Sequence, residues 1–278
     1  MTEQQQQQQQ QEQQLQPQPP AEVRKDRRVL RAVLRWAAAV TVFAAVGTSA
    51  AYGITRLERT EVPGLATESD GRWAYPTLTK PPLPSGRPGP FAETNLAGTH
   101  HADLRALLLP APEGAKEDAG LRGTDGWLAT KDLLAEYADK EDGEELRQKL
   151  TDHGLRHIAA RGWTTQDGTR TRIYLLQFDT ASVTDEFLGP YLAPYAQPKY
   201  QLSGTELSVH DEKFPDDANV DHVQRVAYVE HKPYGPEHVR HAYLAAGDTL
   251  ALVVQSRKGE AHPVPFHQTV TLQSQLLS

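Results

Sequence analysis

A run of twenty residues without a single charge, Trp36–Thr55 (WAAAVTVFAAVGTSAAYGIT), constrains this chain more than any other feature. As an α-helix rising about 1.5 Å per residue it would be about 30 Å long, the thickness of a bilayer's hydrocarbon core. Six basic residues (Arg24, Lys25, Arg27, Arg28, Arg31 and Arg35) crowd the twelve positions before it, against the single Asp26. Beyond it Arg56, Glu58, Arg59 and Glu61 cancel. Basic flanks stay on the cytoplasmic side, so the N-terminus is expected inside and the C-terminal part outside. Residues 36–55 are expected to meet the lipid bilayer as a single-pass anchor, with Trp36 and Tyr52 near its two interfaces. The richness of the segment in Ala, Gly, Ser and Thr leaves a second reading open. Thr48-Ser49-Ala50 resembles the small-residue site of a cleaved signal peptide. Both readings export the remainder.

The flanks divide the rest of the chain. Residues 1–23 hold an unbroken glutamine run, Gln4–Gln11, and a proline-rich stretch, Gln16–Pro20. With almost nothing apolar to bury they cannot offset the entropy of ordering, and are expected as a disordered cytoplasmic tail. Residues 24–35 form a basic juxtamembrane segment. Pro76, Pro81, Pro82, Pro84, Pro88 and Pro90 enforce extended backbone, so residues 56–98 are expected as an extracytoplasmic linker. Residues 99–278 remain for one folded domain, long enough for its own core.

Composition excludes several classes of function. There is no cysteine, hence no disulfide, thiol nucleophile, zinc–thiolate site or lipidated cysteine anchor. The chain has 29 Lys+Arg and 36 Asp+Glu; six and four of these lie in residues 1–35, leaving 23 against 32, a net of −9. An acidic exported region is a poor partner for nucleic acid, and none is expected.

Periodicity predicts an α+β domain, an antiparallel sheet with helices packed on it. His101–Leu109 reads as a short helix or a strap. Thr130 is expected to cap a helix carrying Leu133, Leu134 and Tyr137, interrupted at Gly143. A second helix runs from Glu144 to His153, stopped by Gly154. Leu155–Trp163 and Thr169–Phe178 flank Asp167-Gly168, a hairpin signal, and the second strand is apolar on both sides. Thr180–Leu188 reads as a short helix ended by Gly189-Pro190. Val223–His231 reads as a strand, Arg240–Ala246 and Thr249–Ser256 as a hairpin about Gly247-Asp248, and Val264–Leu277 as a closing helix.

Two stretches are candidate sites. Tyr191, Tyr195 and Tyr200, interleaved with prolines in GPYLAPYAQPKY, form a stiffened loop of the kind that gives large contact area at low entropic cost. The alternative is that these rings cover the edge of the sheet. His210, Asp211, Asp216, Asp217 and Asp221 gather carboxylates suited to a hard cation, without the ligand spacing of a calcium loop; otherwise they form a solvated acidic loop. His238 and His241, three apart in a predicted strand, should point to opposite faces and not share an ion. No nucleophile elbow, Ser-x-x-Lys or phosphate loop occurs, so no catalytic residue and no cofactor are expected.

The stretches DLRALLLPAPEGA (103–115), TDGW (124–127) and ARGWTTQDGTRTRIYLLQF (160–178) resemble membrane-anchored proteins of unknown function from Streptomyces and relatives. In fold pattern the chain is also similar to small extracytoplasmic α+β modules of actinobacterial lipoproteins and sensor ectodomains. The resemblance carries no activity with it; the residues themselves lead us to expect a membrane-tethered binding or scaffold module without catalytic activity, meeting an envelope protein or a cell-wall component through the Tyr/Pro loop or the acidic loop. The alternative is an envelope hydrolase or metal-dependent enzyme with an unrecognised site.

Overall fold

The computed structural model describes residues 27–56 and 69–278. The glutamine-rich tail expected over 1–23 lies outside them. The chain separates into two units, Met1–Glu68 and Ser69–Ser278.

In the first unit one helix, α1, runs from Arg27 to Arg56. Its stretch Arg28–Ser49 is long and apolar enough to cross a membrane, a test that a signal sequence near the N-terminus also passes. That stretch begins eight residues before Trp36, because Val29, Leu30, Val33 and Leu34 lie among the arginines. Its large apolar side chains, including Trp36, Val40 and Phe43, are exposed.

The second unit is an α+β domain built on a seven-stranded antiparallel sheet. In chain order its elements are β1 (Lys116–Glu117), α2 (Thr130–Leu134), α3 (Lys140–Asp152), β2 (His157–Thr164) and β3 (Arg170–Gln177). Then come α4 (Ala181–Glu186), β4 (Ser208–His210), β5 (Gln224–Glu230), β6 (Glu237–Ala246), β7 (Thr249–Lys258) and α5 (Pro263–Leu277). The strands lie in the order β1-β2-β3-β7-β6-β5-β4. The hairpins β2–β3 and β6–β7 meet where β3 pairs with β7, from Arg170 opposite Ser256 to Gln177 opposite Thr249.

Because side chains alternate along a strand, β3 feeds two cores. Tyr174 and Leu176 join the core beneath α2 and α3, with Leu133, Leu146, Leu150 and Tyr243. Ile173 and Leu175 join the core beneath α5, with Trp163, Leu244, Phe266 and Val270. Helices on both faces explain why the central strands read as nearly continuous apolar runs.

Local chemistry sets the boundaries, in places differently from expectation. Thr130 is the first residue of α2 and not its cap; the cap is Ala129, which makes no side-chain bond. Gly143 lies inside α3, on its buried face. The break comes earlier, where Asp139 accepts hydrogen bonds from the Glu141 and Asp142 amides and starts the helix. Gly154 stops α3 as expected. At φ 73° it lets its own N–H reach Thr151 O and the Leu155 N–H reach Leu150 O, closing the last turn. Gly189-Pro190 does not end the helical run after Thr180, which continues through a widened π turn, Phe187–Leu192, with Pro190 inside it.

The largest difference concerns the proline-rich segment. The folded unit begins at Ser69, so residues 69–98, expected as linker, belong to it. Tyr75, Leu78 and Phe91 pack against the core beneath α5. Prolines leave extended backbone without a ladder partner, and side-chain amides of α5 supply one. Gln268 accepts from the Trp73 N–H (2.8 Å) and donates to the Trp73 carbonyl (2.9 Å). Gln273 does the same for Leu109 N and Leu107 O, both at 2.9 Å. His101–Leu109 is likewise a strap holding one short 3-10 turn, Leu104–Ala106. Buried His100 fastens it: Nδ1 lies 2.8 Å from Asp248 Oδ1 in the β6–β7 turn, and Nε2 lies 2.9 Å from Leu277 O.

Candidate functional site

The tyrosine loop divides in its roles. Tyr200 is buried, edge-on to Tyr137, with its hydroxyl on Glu145. Tyr191 is half-buried against His153 and Phe187, with the Lys149 ammonium 4.2 Å from its ring centre. Tyr195 alone is open, 74% exposed, and stacks on His210 at 4.3 Å. The loop also caps the edge strand β4. His210 donates its N–H to Ala196 O, and Ser208 donates to the Gln201 side chain. Those are outward-facing donors that a foreign strand would otherwise take.

The acidic stretch does not converge. His210 and Asp211 are neighbours across the edge of a strand and turn to opposite faces. Asp211 points inward, where Oδ2 accepts from Arg240 Nη1 (2.9 Å) and lies 3.0 Å from His267 Nε2. Burial alone would raise its carboxyl, but the His267 bond and the Arg240 charge hold it below the usual carboxylate range. Asp216, Asp217 and Asp221 are exposed beyond it. Among the described residues no three His, Asp or Glu side chains stand together as ion ligands. His238 and His241 occupy opposite faces of β6, as the odd spacing predicts. His238 accepts from Ala261 N near α5, while His241 lies between Tyr228 and Tyr243 on the other face.

A cleft that the candidate residues do not touch lies at the start of α5. Its volume is about 570 Å³, and its walls include Arg72, Trp73, Glu113, Gln166, Asp167 and His262. A neighbouring hollow of about 430 Å³ shares Arg72 and Val264 with it and runs along α5 past His267 and Gln268. Several charged walls are already engaged. Asp167 binds Thr165 and Thr169 within the β2–β3 turn, and Arg72 faces Asp70. Trp73, one of the cleft's lining residues, is held by Gln268 through its backbone alone.

Next to this cleft the sheet carries an unusual row. Trp163 lies opposite Thr171 and Thr171 opposite Gln255, all three turned toward α5. Trp163 Nε1, Thr171 Oγ1 and Gln255 Oε1 are buried and have no hydrogen-bond partner among the described residues. Native interiors pair most such groups, so three in one row call for a physical reason. Tyr75 lies across them, its ring edge-on to Trp163 at 6.4 Å and its hydroxyl 2.9 Å from Thr269 Oγ1.

The class these features define is a three-layered α+β domain with open clefts along its C-terminal helix. No protein-family profile matches the chain, and no curated protein is similar to it.

Proposed function

We propose that this chain is a membrane-tethered binding or scaffold module, working outside the cytoplasm without catalysing a reaction. The basic excess of residues 24–35 ahead of an apolar helix supports that location, as does the resemblance to Streptomyces-type anchored proteins. One observation carries the binding reading. Buried charges are closed into pairs, as in Asp211–Arg240 and Arg172–Glu136, while the cleft at the start of α5 is open and offers Trp73, Gln166 and prolines beside Arg72, Glu113, Asp167 and His262. Such walls hold a ligand by contact area and hydrogen bonds, with Asp167 and Arg72 already engaged by neighbouring residues.

The test uses the full-length protein in phosphatidylcholine nanodiscs, mixed with washed insoluble envelope fragments. The protein is expected to pellet with the fragments and to release no soluble product from them. Release of product would replace this reading with that of an envelope hydrolase. Failure to pellet would remove the envelope component as ligand.

A further inference from the structure

We propose that the cleft beside Trp73 binds a neutral, polyhydroxylated ligand, a segment of a glycan chain, and that the row Trp163–Thr171–Gln255 forms its inner end. The proposal rests on the binding reading above and names the ligand class of that module.

The chemistry of the row selects the ligand. Trp163 Nε1 can only donate, Gln255 Oε1 can only accept, and the Thr171 hydroxyl does either. A sugar hydroxyl also donates and accepts, so a set of vicinal hydroxyls can satisfy all three. No member of the row is charged, and an ion brought to this buried place would lose its hydration without a counter-charge. The outer cleft matches the same ligand: the Trp73 ring offers a flat apolar face for a sugar ring, and Gln166 and Glu113 offer polar groups at its rim. A volume of about 570 Å³ is in the range of small-molecule sites.

Cleft and row are linked through neighbouring residues, the row itself being fully buried. Ala74, a cleft wall, precedes Tyr75, which covers Trp163. Thr165, another wall, is the residue that follows β2, two positions after Trp163. Pro265, a third, accepts from the Thr269 hydroxyl, to which both Tyr75 and Gln255 are bonded. Tyr75 makes one side-chain hydrogen bond, to Thr269, and is the group that turns aside on entry, while Gln268 keeps the Trp73 backbone in place.

The experiment titrates the full chain in phosphatidylcholine nanodiscs with cellotetraose and chitotetraose, both uncharged, and with anionic tetragalacturonate, following tryptophan fluorescence and heat. At least one neutral tetrasaccharide is expected to bind, at least tenfold more tightly than tetragalacturonate. Trp73→Ala is expected to weaken binding about 30-fold, as for an aromatic anchor. The double variant Thr171→Val, Gln255→Leu is expected to weaken it about tenfold with an unfolding midpoint close to that of wild type, since removal of two unpaired polar atoms offsets the lost bond from Gln255 Nε2 to Thr269 Oγ1. Wild-type protein that binds neither neutral tetrasaccharide overturns the proposal, as does a double variant that binds like wild type. If the protein still pellets with envelope fragments in that case, the binding reading stands and only the glycan assignment falls.

Discussion

Replacing Arg240 with methionine is expected to lower the stability of the folded domain by about 3–5 kcal/mol, the range for breaking one side of a buried ion pair. Arg240 and Asp211 have side chains 7% and 2% exposed, and the guanidinium also donates from Nε to Ala261 O at 2.8 Å. The arginine thus joins β6 to the β4–β5 loop and to the entry of α5. Without it, Asp211 keeps only His267 and the Lys213 amide as partners. The double variant Arg240→Met, Asp211→Leu should recover much of the loss, because replacing both members of a buried pair is often neutral. Urea unfolding of the three proteins checks this. A single variant within about 1 kcal/mol of wild type would show that water screens the pair, against its burial.

Acid should destabilise the domain through His241. The ring is fully buried between Tyr228 and Tyr243, and neither nitrogen has a partner among the described residues. Burial pushes its pKa down to about 3, against about 6.5 in an unfolded chain. Between those values the unfolded state binds one proton more than the folded state. Stability from this group is therefore complete above pH 6.5 and falls as pH drops toward 3, by about 1.4 kcal/mol per unit. Between pH 8 and 4.5 the loss attributable to His241 is about 3 kcal/mol. His241→Phe should match or exceed wild-type stability at pH 8, since it removes two unpaired polar atoms, and should lose less on acidification by that amount. Equal pH slopes for the two proteins would mean that the histidine is protonated or solvated in the folded state.

Much of the sheet was legible because its determinants are local. Asp167-Gly168 and Gly247-Asp248 announce the two hairpins, and the alternation through Ile173, Tyr174, Leu175 and Leu176 shows a strand covered on both sides. The strap was not legible. Its prolines read as a spacer because the contacts that seat the segment are distant in sequence: Gln268, which holds Trp73, and Gln273, which holds Leu107 and Leu109, lie 195 and 164–166 residues from their partners. The cleft was hidden for the same reason, since Trp73 belongs to that segment. The row beneath Tyr75 depends on the register among β2, β3 and β7, which no local pattern encodes. In the tyrosine loop the sequence cannot say which ring turns in. Packing on Tyr137 buries Tyr200, while Tyr195 is left outside on His210.

The most direct test of the account is protease protection on intact cells carrying the chain with a tag at each end. External protease is expected to remove the C-terminal tag and digest the domain, while a fragment with the N-terminal tag and the apolar helix stays protected. A shortened C-terminal product released into the medium would replace the anchor with a cleaved signal and keep the domain outside. Survival of the C-terminal tag on intact cells, with loss only after lysis, would contradict the extracytoplasmic placement and the envelope ligand that rests on it.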